Sequence, residues 1–305
     1  MSCSENYVSV NGTNLCWFEW GSQYKGEETV LLVHATGFHA RCWDQTVNHL
    51  GRKHVIAIDM RGHGRSDNTP PFDWLTFGVD LIDFVSALGL NNIVGVGHSM
   101  GGHAICQAAA KEQSRFSRLL LVDPVIMSPE AYSQHKSIHT AWLNDTGEHP
   151  VARRKNFFAD AELMFANFHG RSSFAVWRED VLRDYCEYGL VQDSEGDGYV
   201  LACPPEVEAS IYMGSSGTDI FAQISHIDVP VTVLRAKPRD PESETMDFTS
   251  SPTWEELANQ FTIGTDVYLP EFTHFLPMQD PELVARYILA EHELGGEMAN
   301  TVDHG

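Results

Sequence analysis

The sequence predicts an α/β fold, a mainly parallel sheet with helices on both faces, and three observations carry that prediction. Continuous apolar runs recur at residues 29–34, 55–59, 119–123 and 229–235. Unbroken runs of Val, Leu and Ile mark strands that are covered on both faces. Segments of helical character lie between them, at residues 42–50, 74–88 and 101–111. Strand and helix in alternation is the signature of parallel strands joined by crossover helices. Finally, the pentad Gly97-His98-Ser99-Met100-Gly101 stands between an apolar run at residues 91–95 and an Ala-rich helical stretch.

Taken in order, the chain begins with two short runs, residues 7–10 and 15–18, on either side of Asn11-Gly12. That pair suits the positive φ of a tight primed turn and predicts a hairpin. In the pentad, a nucleophilic serine would sit on a sharp strand-to-helix turn with its hydroxyl exposed. Flanking glycines remove the side chains that would collide there. The Met100 N–H, at the start of the following helix, is a candidate oxyanion donor.

After Asp123-Pro124 the long apolar runs stop. Residues 153–168 carry Phe157, Phe158, Phe165 and Phe168, and residues 176–190 carry Trp177, Val181, Leu182, Tyr185 and Tyr188 at near-helical spacing. Residues 125–225 therefore read as a mostly helical cap. Placed at a strand's carboxyl end, it would roof the ligand site, with most aromatics packing on the core and a few lining a pocket. The parallel pattern resumes at 229–235. Thr253 and Glu256 have the spacing of a capping box. Residues 266–269 form the last strand, and Asp280-Pro281-Glu282 opens a last helix over 283–291. The expected organisation is a core of residues 1–124 and 226–294, the cap 125–225 and a flexible tail 295–305.

Composition narrows the partners. Among 305 residues, 42 acidic against 20 basic side chains give a net charge of −22. Such a balance argues against nucleic acid and anionic membrane surfaces. No apolar run is long enough to cross a bilayer. The first six residues lack Lys and Arg, so no signal peptide is expected. The six cysteines have no metal-type spacing, which predicts free thiols in a reducing, cytoplasmic compartment.

A serine nucleophile needs a base, an orienting acid and an oxyanion hole. His274, just after the last strand, is the candidate base. His98 adjoins the serine, and neighbours on a tight turn point apart, so it is expected to pack beside the elbow. His34 is expected to bond backbone near the hole, while His135, His139 and His149 have no assigned role. Two acids compete. Asp123 ends a buried strand, where a carboxylate is costly without a partner. Asp240 follows the next strand in a loop rich in acidic residues. Asp123 is favoured. Thr36, in the small-residue loop after residues 29–34, is the second candidate oxyanion donor, beside Met100. In the stretch Arg61-Gly62-His63-Gly64-Arg65-Ser66-Asp67, the arginines are expected to rigidify a loop through charge-assisted bonds to Asp, rather than to bind substrate.

With these residues together, the chain resembles the serine α/β-hydrolases, in the branch of pimeloyl-type methyl ester esterases and related carboxylesterases. The resemblance rests on His34-Ala35-Thr36-Gly37-Phe38 with Trp43, on residues 59–67, on Gly97-His98-Ser99-Met100-Gly101-Gly102, and on Thr273-His274-Phe275. It implies an eight-stranded, mostly parallel sheet with a helical cap, Ser99 as nucleophile and His274 as base. It also implies an acid after the sixth strand, where Asp123 stands. The family's more usual Gly-x-x-Asp after the seventh strand is replaced by Ala236-Lys237-Pro238-Arg239, which counts against Asp240. His34-Ala35 stands where His-Gly is usual. The expected activity is hydrolysis of a small-molecule carboxylic ester through an acyl-enzyme, with no cofactor or metal, and the aromatic cap suggests a small or medium, largely apolar acyl or alcohol group. A lactonase, thioesterase, carbon–carbon bond hydrolase or cofactor-free perhydrolase would use the same residues. Ser99 argues against relatives with an aspartate nucleophile. A ligand-binding receptor with an idle site is the alternative from another class, and a broken triad would favour it.

Overall fold

In the computed structural model, residues 2–133, 143, 147, 149–215, 219–240 and 248–289 are described. The expected tail, along with His135 and His139, lies outside them. Eleven strands occur among the described residues: β1 Cys3–Val10, β2 Thr13–Trp20, β3 Thr29–Val33, β4 His54–Ile58, β5 Ile93–His98, β6 Phe116–Val122, β7 Phe157–Phe158, β8 Leu190–Gln192, β9 Tyr199–Leu201, β10 Val231–Ala236 and β11 Gly264–Leu269. Eight of them form one sheet in the order β1-β2-β4-β3-β5-β6-β10-β11. β1 pairs with β2, and β2 with β4, antiparallel. The remaining neighbours are parallel. The hairpin turns where Asn-Gly predicted it, with Val10 opposite Thr13 and φ of 44° and 70° at Asn11 and Gly12.

Strand periodicity sorts the central side chains into two core layers. Leu31 and Val33 of β3, Ile56 and Ile58 of β4, and Leu119 and Leu121 of β6 pack on one face. Val30, Leu32, Val55, Ala57, Leu120 and Val122 pack on the other. Both layers are covered, which is why these strands read as unbroken apolar runs. Helix Trp74–Ala87 lies against helix Met100–Lys111 on the first face, and helix Pro281–Leu289 covers the second. Asp73 caps the first of these helices by accepting from the Thr76 N–H at 3.0 Å. Asp280 does the same for the last, accepting from Leu283 N–H at 2.8 Å.

The structure departs from expectation at several elements. β5 begins at Ile93 rather than 91, because Asn92 has φ 52° and belongs to the preceding turn. The helix expected over 42–50 is a 3₁₀ turn, Ala40–Trp43, followed by a single turn of α-helix, Asp44–Asn48. Residues 125–225, expected as a helical cap, are not purely helical. Short strands join in the antiparallel order β7-β9-β8, with β7 before helix Ala161–Phe168 and β8 and β9 after helix Glu179–Tyr188. Within the same stretch, Ile211, Ile220 and Ile224 are buried in the main core layer. Its own aromatic cluster, including Phe158, Phe165, Trp177 and Tyr185, packs on Ala35, Phe38 and Phe275 at the carboxyl edge of the sheet. The six cysteines are unpaired. Among the described residues no helix is long and apolar enough to cross a membrane.

Candidate active site

Ser99 follows β5, a central strand, with φ 57° and ψ −119°. A side-chain-bearing residue is rarely found at positive φ, and such strain persists only where the surroundings enforce it. Here the enforcement is close packing by glycine. A Cβ on Gly97 would stand 2.4 Å from the Gly101 carbonyl oxygen, and one on Gly101 would stand 2.3 Å from that of Val33. The turn is therefore pressed against both its own helix and the neighbouring strand. Ser99 is left 6 % exposed, at the wall of a cavity.

Three residues distant in sequence meet at this edge. His274 Nε2 lies 3.0 Å from Ser99 Oγ, and His274 Nδ1 lies 2.6 Å from Asp123 Oδ2. A carboxylate oxygen accepts, so Nδ1 carries the proton and Nε2 is left to accept from the serine hydroxyl. Asp123 is fully buried, with φ 45°. Its second oxygen, Oδ1, accepts from Ala236 N–H at 2.8 Å, Ser251 Oγ at 2.6 Å and Thr253 Oγ1 at 3.2 Å. These donors offset the desolvation of the carboxylate and fix its direction. The other candidate acid, Asp240, lies exposed on the loop beyond β10.

Thr253 corrects an expectation. Instead of capping a helix with Glu256, its hydroxyl bonds Asp123 Oδ1 and the Pro124 carbonyl at 2.8 Å. Only a short 3₁₀ turn, Ala258–Gln260, follows. Ser251 carried no local signal, because its partner lies 128 residues away.

The buried histidines build the frame. His98 Nε2 donates to the His274 carbonyl at 2.7 Å, and the His98 ring stacks on Phe38. His34 Nδ1 donates to the Ala35 carbonyl at 2.7 Å and Nε2 accepts from Met60 N–H at 3.0 Å. His63 Nε2 accepts from Gly37 N–H at 3.0 Å, tying the loop of residues 59–67 to the loop that holds Thr36. Arg61 is nearly fully buried and grips Asp80 with two 2.7 Å bonds. Its partner is thus on the adjacent helix rather than within its own loop. Thr36 Oγ1 donates to the Met100 sulfur at 3.4 Å, which sets the two expected oxyanion donors side by side. Among the described residues, neither backbone N–H has a hydrogen-bond partner.

Burial pushes His39 and His98 down to about 3 and His63 down to about 4, and drives His34 well below its usual value. These rings stay neutral in the folded chain. Below about pH 6.5 they bind protons once unfolded, so the unfolded state takes up more protons and stability falls as the pH drops. Asp59 and Asp184, raised to about 6 by burial, act in the opposite sense. Their cost to the folded state is relieved as the pH falls below that value. Burial raises Asp44 and Glu208 as well, but the histidine shifts, down to about 3 at His39 and His98, are larger than the rise of Asp59 and Asp184 to about 6 and set the sign. The thermal midpoint is expected to be several degrees lower at about pH 5 than at pH 7 by calorimetry. An unchanged midpoint would mean that these rings are protonated in the folded chain.

The cavity over Ser99 and His274 measures about 1120 Å³. Phe38, Phe168, Phe174, Trp177, Tyr185 and Phe275 line it. Phe38 packs edge-on to Trp177 and Tyr185, with ring centroids 5.3 and 5.7 Å apart. Within the wall, Arg154 Nη1 donates to Glu208 Oε2 at 2.6 Å and Nη2 to the Tyr185 hydroxyl at 2.9 Å. Burial pushes the Glu208 carboxyl up and Arg154 pulls it down, with burial the larger effect. Neither residue stood out in the sequence. Of the other histidines, His149 lies stacked on Tyr212 in the cap. Among the described residues, no group of three or more His, Cys, Asp or Glu side chains is placed to hold a metal ion.

Comparison with known proteins gives a consistent picture. The family model described as the alpha/beta hydrolase family matches residues 30–287. N-formylmaleamate deformylase of Pseudomonas putida is 34% identical over 125 residues, covering 40% of this chain and 46% of that protein. An esterase of Escherichia coli is 33% identical over 103 residues, covering 33% of this chain and 39% of that protein. The chain thus spans less than half the length of these curated relatives. The crystal structure of E-2-(acetamidomethylene)succinate hydrolase superposes with a TM-score of 0.69 at 20% identity, covering 94% of this chain and 98% of that one. At that identity the likeness is one of fold.

Proposed function

The chain belongs to the alpha/beta hydrolase family, and from that premise we propose that it is a serine hydrolase that cleaves carboxylic esters through an acyl-enzyme. The observation that carries this reading is the line from Ser99 Oγ to His274 Nε2, 3.0 Å, and from His274 Nδ1 to Asp123 Oδ2, 2.6 Å. Ser99 Oγ attacks the ester carbonyl carbon as His274 takes its proton. The carbonyl oxygen becomes an oxyanion, held by the N–H groups of Thr36 and Met100. Collapse breaks the bond to the alcohol oxygen, to which His274 returns the proton. Water then repeats the sequence on the acyl-enzyme and releases the acid. Asp123 keeps the imidazole in the required tautomer and stabilises the imidazolium formed in each half.

The aromatic cavity suits a small or medium, largely apolar substrate. The esterase among the relatives supports the ester bond as the one cleaved. Six unpaired thiols suit a cytoplasmic enzyme acting on a small molecule. A fluorophosphonate probe tests the reading: intact protein should gain one adduct, on Ser99, and Ser99→Ala should gain none. Folded wild-type protein without an adduct would overturn it. A panel of nitrophenyl esters, lactones and thioesters then ranks the leaving groups.

A further inference from the structure

The cavity walls reverse the charge bias of the chain. Acidic residues outnumber basic ones by 42 to 20 in the sequence. Yet among the described residues the cavity is lined by Arg154, Arg171, Arg235 and Arg239, against Glu208 and Glu255 and no aspartate. Two of these arginines are committed within the fold. Arg154 pairs with Glu208 at 2.6 Å, and Arg235 pairs with Asp266 at 2.9 Å. Arg171 is different. Among the described residues no carboxylate pairs with its guanidinium, and the residue is exposed.

The position of Arg171 is fixed by its backbone. Its N–H donates to the Phe168 carbonyl at 3.0 Å, and its carbonyl accepts from Phe174 N–H at 3.1 Å. The two rings so bracketed stack at 4.5 Å, and both pack on Tyr185, at 6.3 and 5.7 Å. Arg171 therefore lies at the turn between two residues whose rings wall the cavity, which it also lines, with Arg154 on the hydroxyl of the same Tyr185.

We infer that the cavity takes an ester whose acyl or alcohol part ends in a carboxylate, with the Arg171 guanidinium as its counter-ion at the cavity rim. The inference rests on the serine-hydrolase reading for the bond cleaved, and adds the charge of the substrate. A guanidinium offers a planar fork of donors that matches a carboxylate. The −22 charge of the chain repels anions at long range, so recognition must be local. Glu255 also lines the cavity, and a single guanidinium balances one negative charge, so a lone carboxylate suits the site better than a phosphate monoester dianion. The volume leaves room for a chain that reaches from Ser99 to the rim.

The test uses the full-length protein and two methyl esters of the same length, monomethyl glutarate and methyl pentanoate, which differ in the terminal carboxylate. Each is used to protect Ser99 from a fluorophosphonate probe at neutral pH, and hydrolysis of each is measured. The anionic ester should half-protect at a concentration about tenfold lower than the neutral one, the value of one charge-assisted pair. Arg171→Gln should bring the two esters within about threefold. Arg52→Gln removes a cation that bonds the Tyr24 hydroxyl outside the cavity, and should keep the preference. Equal protection, protection by neither ester, a preference for the neutral ester, or a preference that survives Arg171→Gln would overturn the inference. Failure of the folded protein to label at all would instead defeat the serine-hydrolase reading beneath it.

Discussion

Asp123→Asn is expected to lower kcat by about 10⁴-fold while the protein stays folded and KM changes little. The carboxamide can still accept from Ala236 N–H, Ser251 and Thr253 with its oxygen, as Oδ1 does in the native chain. What changes is the group facing His274. An NH₂ at the place of Oδ2 donates to Nδ1, and the imidazole proton is forced onto Nε2, where it points at the serine that must give its own proton away. The loss should therefore appear in the rate of ester turnover and not in the unfolding midpoint. Asp240→Asn, at an exposed loop residue, should leave turnover within about twofold. Steady-state kinetics on a nitrophenyl ester compares the two variants, and the reverse result would make Asp240 the acid.

Gly101→Ala should cost about 3 kcal/mol or more of stability, the upper range for overpacking a core. The added methyl would lie 2.3 Å from the Val33 carbonyl oxygen and 2.7 Å from that of His34. Neither oxygen can yield cheaply. β3 is hydrogen-bonded between β4 and β5 through its whole length, and His34 is held by its own ring and by Met60. Urea unfolding measures the effect. A loss under about 1 kcal/mol would mean that the turn is not pressed on β3 as described. The same variant should label slowly with a fluorophosphonate, because any shift that relieves the clash moves Ser99 or the loop that carries Thr36.

The buried sheet was legible in the sequence because covered strands leave unbroken apolar runs, and the hairpin because Asn-Gly satisfies a backbone need that few pairs meet. The juxtaposition of Asp123 with a histidine was legible for an energetic reason: an acid at the end of a buried strand requires a partner. What was not legible depended on distant residues. Thr253 and Glu256 have the local pattern of a helix start, but the Thr253 hydroxyl goes to a carboxylate 130 residues earlier in the chain, and that demand overrides the local preference. Ser251 sits in an ordinary polar loop until β10 brings it to Asp123. The strands of the cap, two or three residues each, are too short to show any period. Arg154 and Glu208 pair across 54 residues, and nothing in either neighbourhood marks them.

The bond from His98 to the His274 carbonyl has a consequence for how error propagates through the molecule. His274 is 175 residues from Ser99 along the chain, a path on which small displacements could accumulate. Its main chain is instead clamped on both sides, the N–H to the Thr249 carbonyl at 2.7 Å and the carbonyl to His98, the residue next to Ser99. The imidazole is thereby indexed to the serine through one side chain, as a workpiece is set against a stop beside the tool. Changes of length or sequence between β11 and His274 should alter how the loop reaches that stop, and leave the Ser99–His274 spacing as it is.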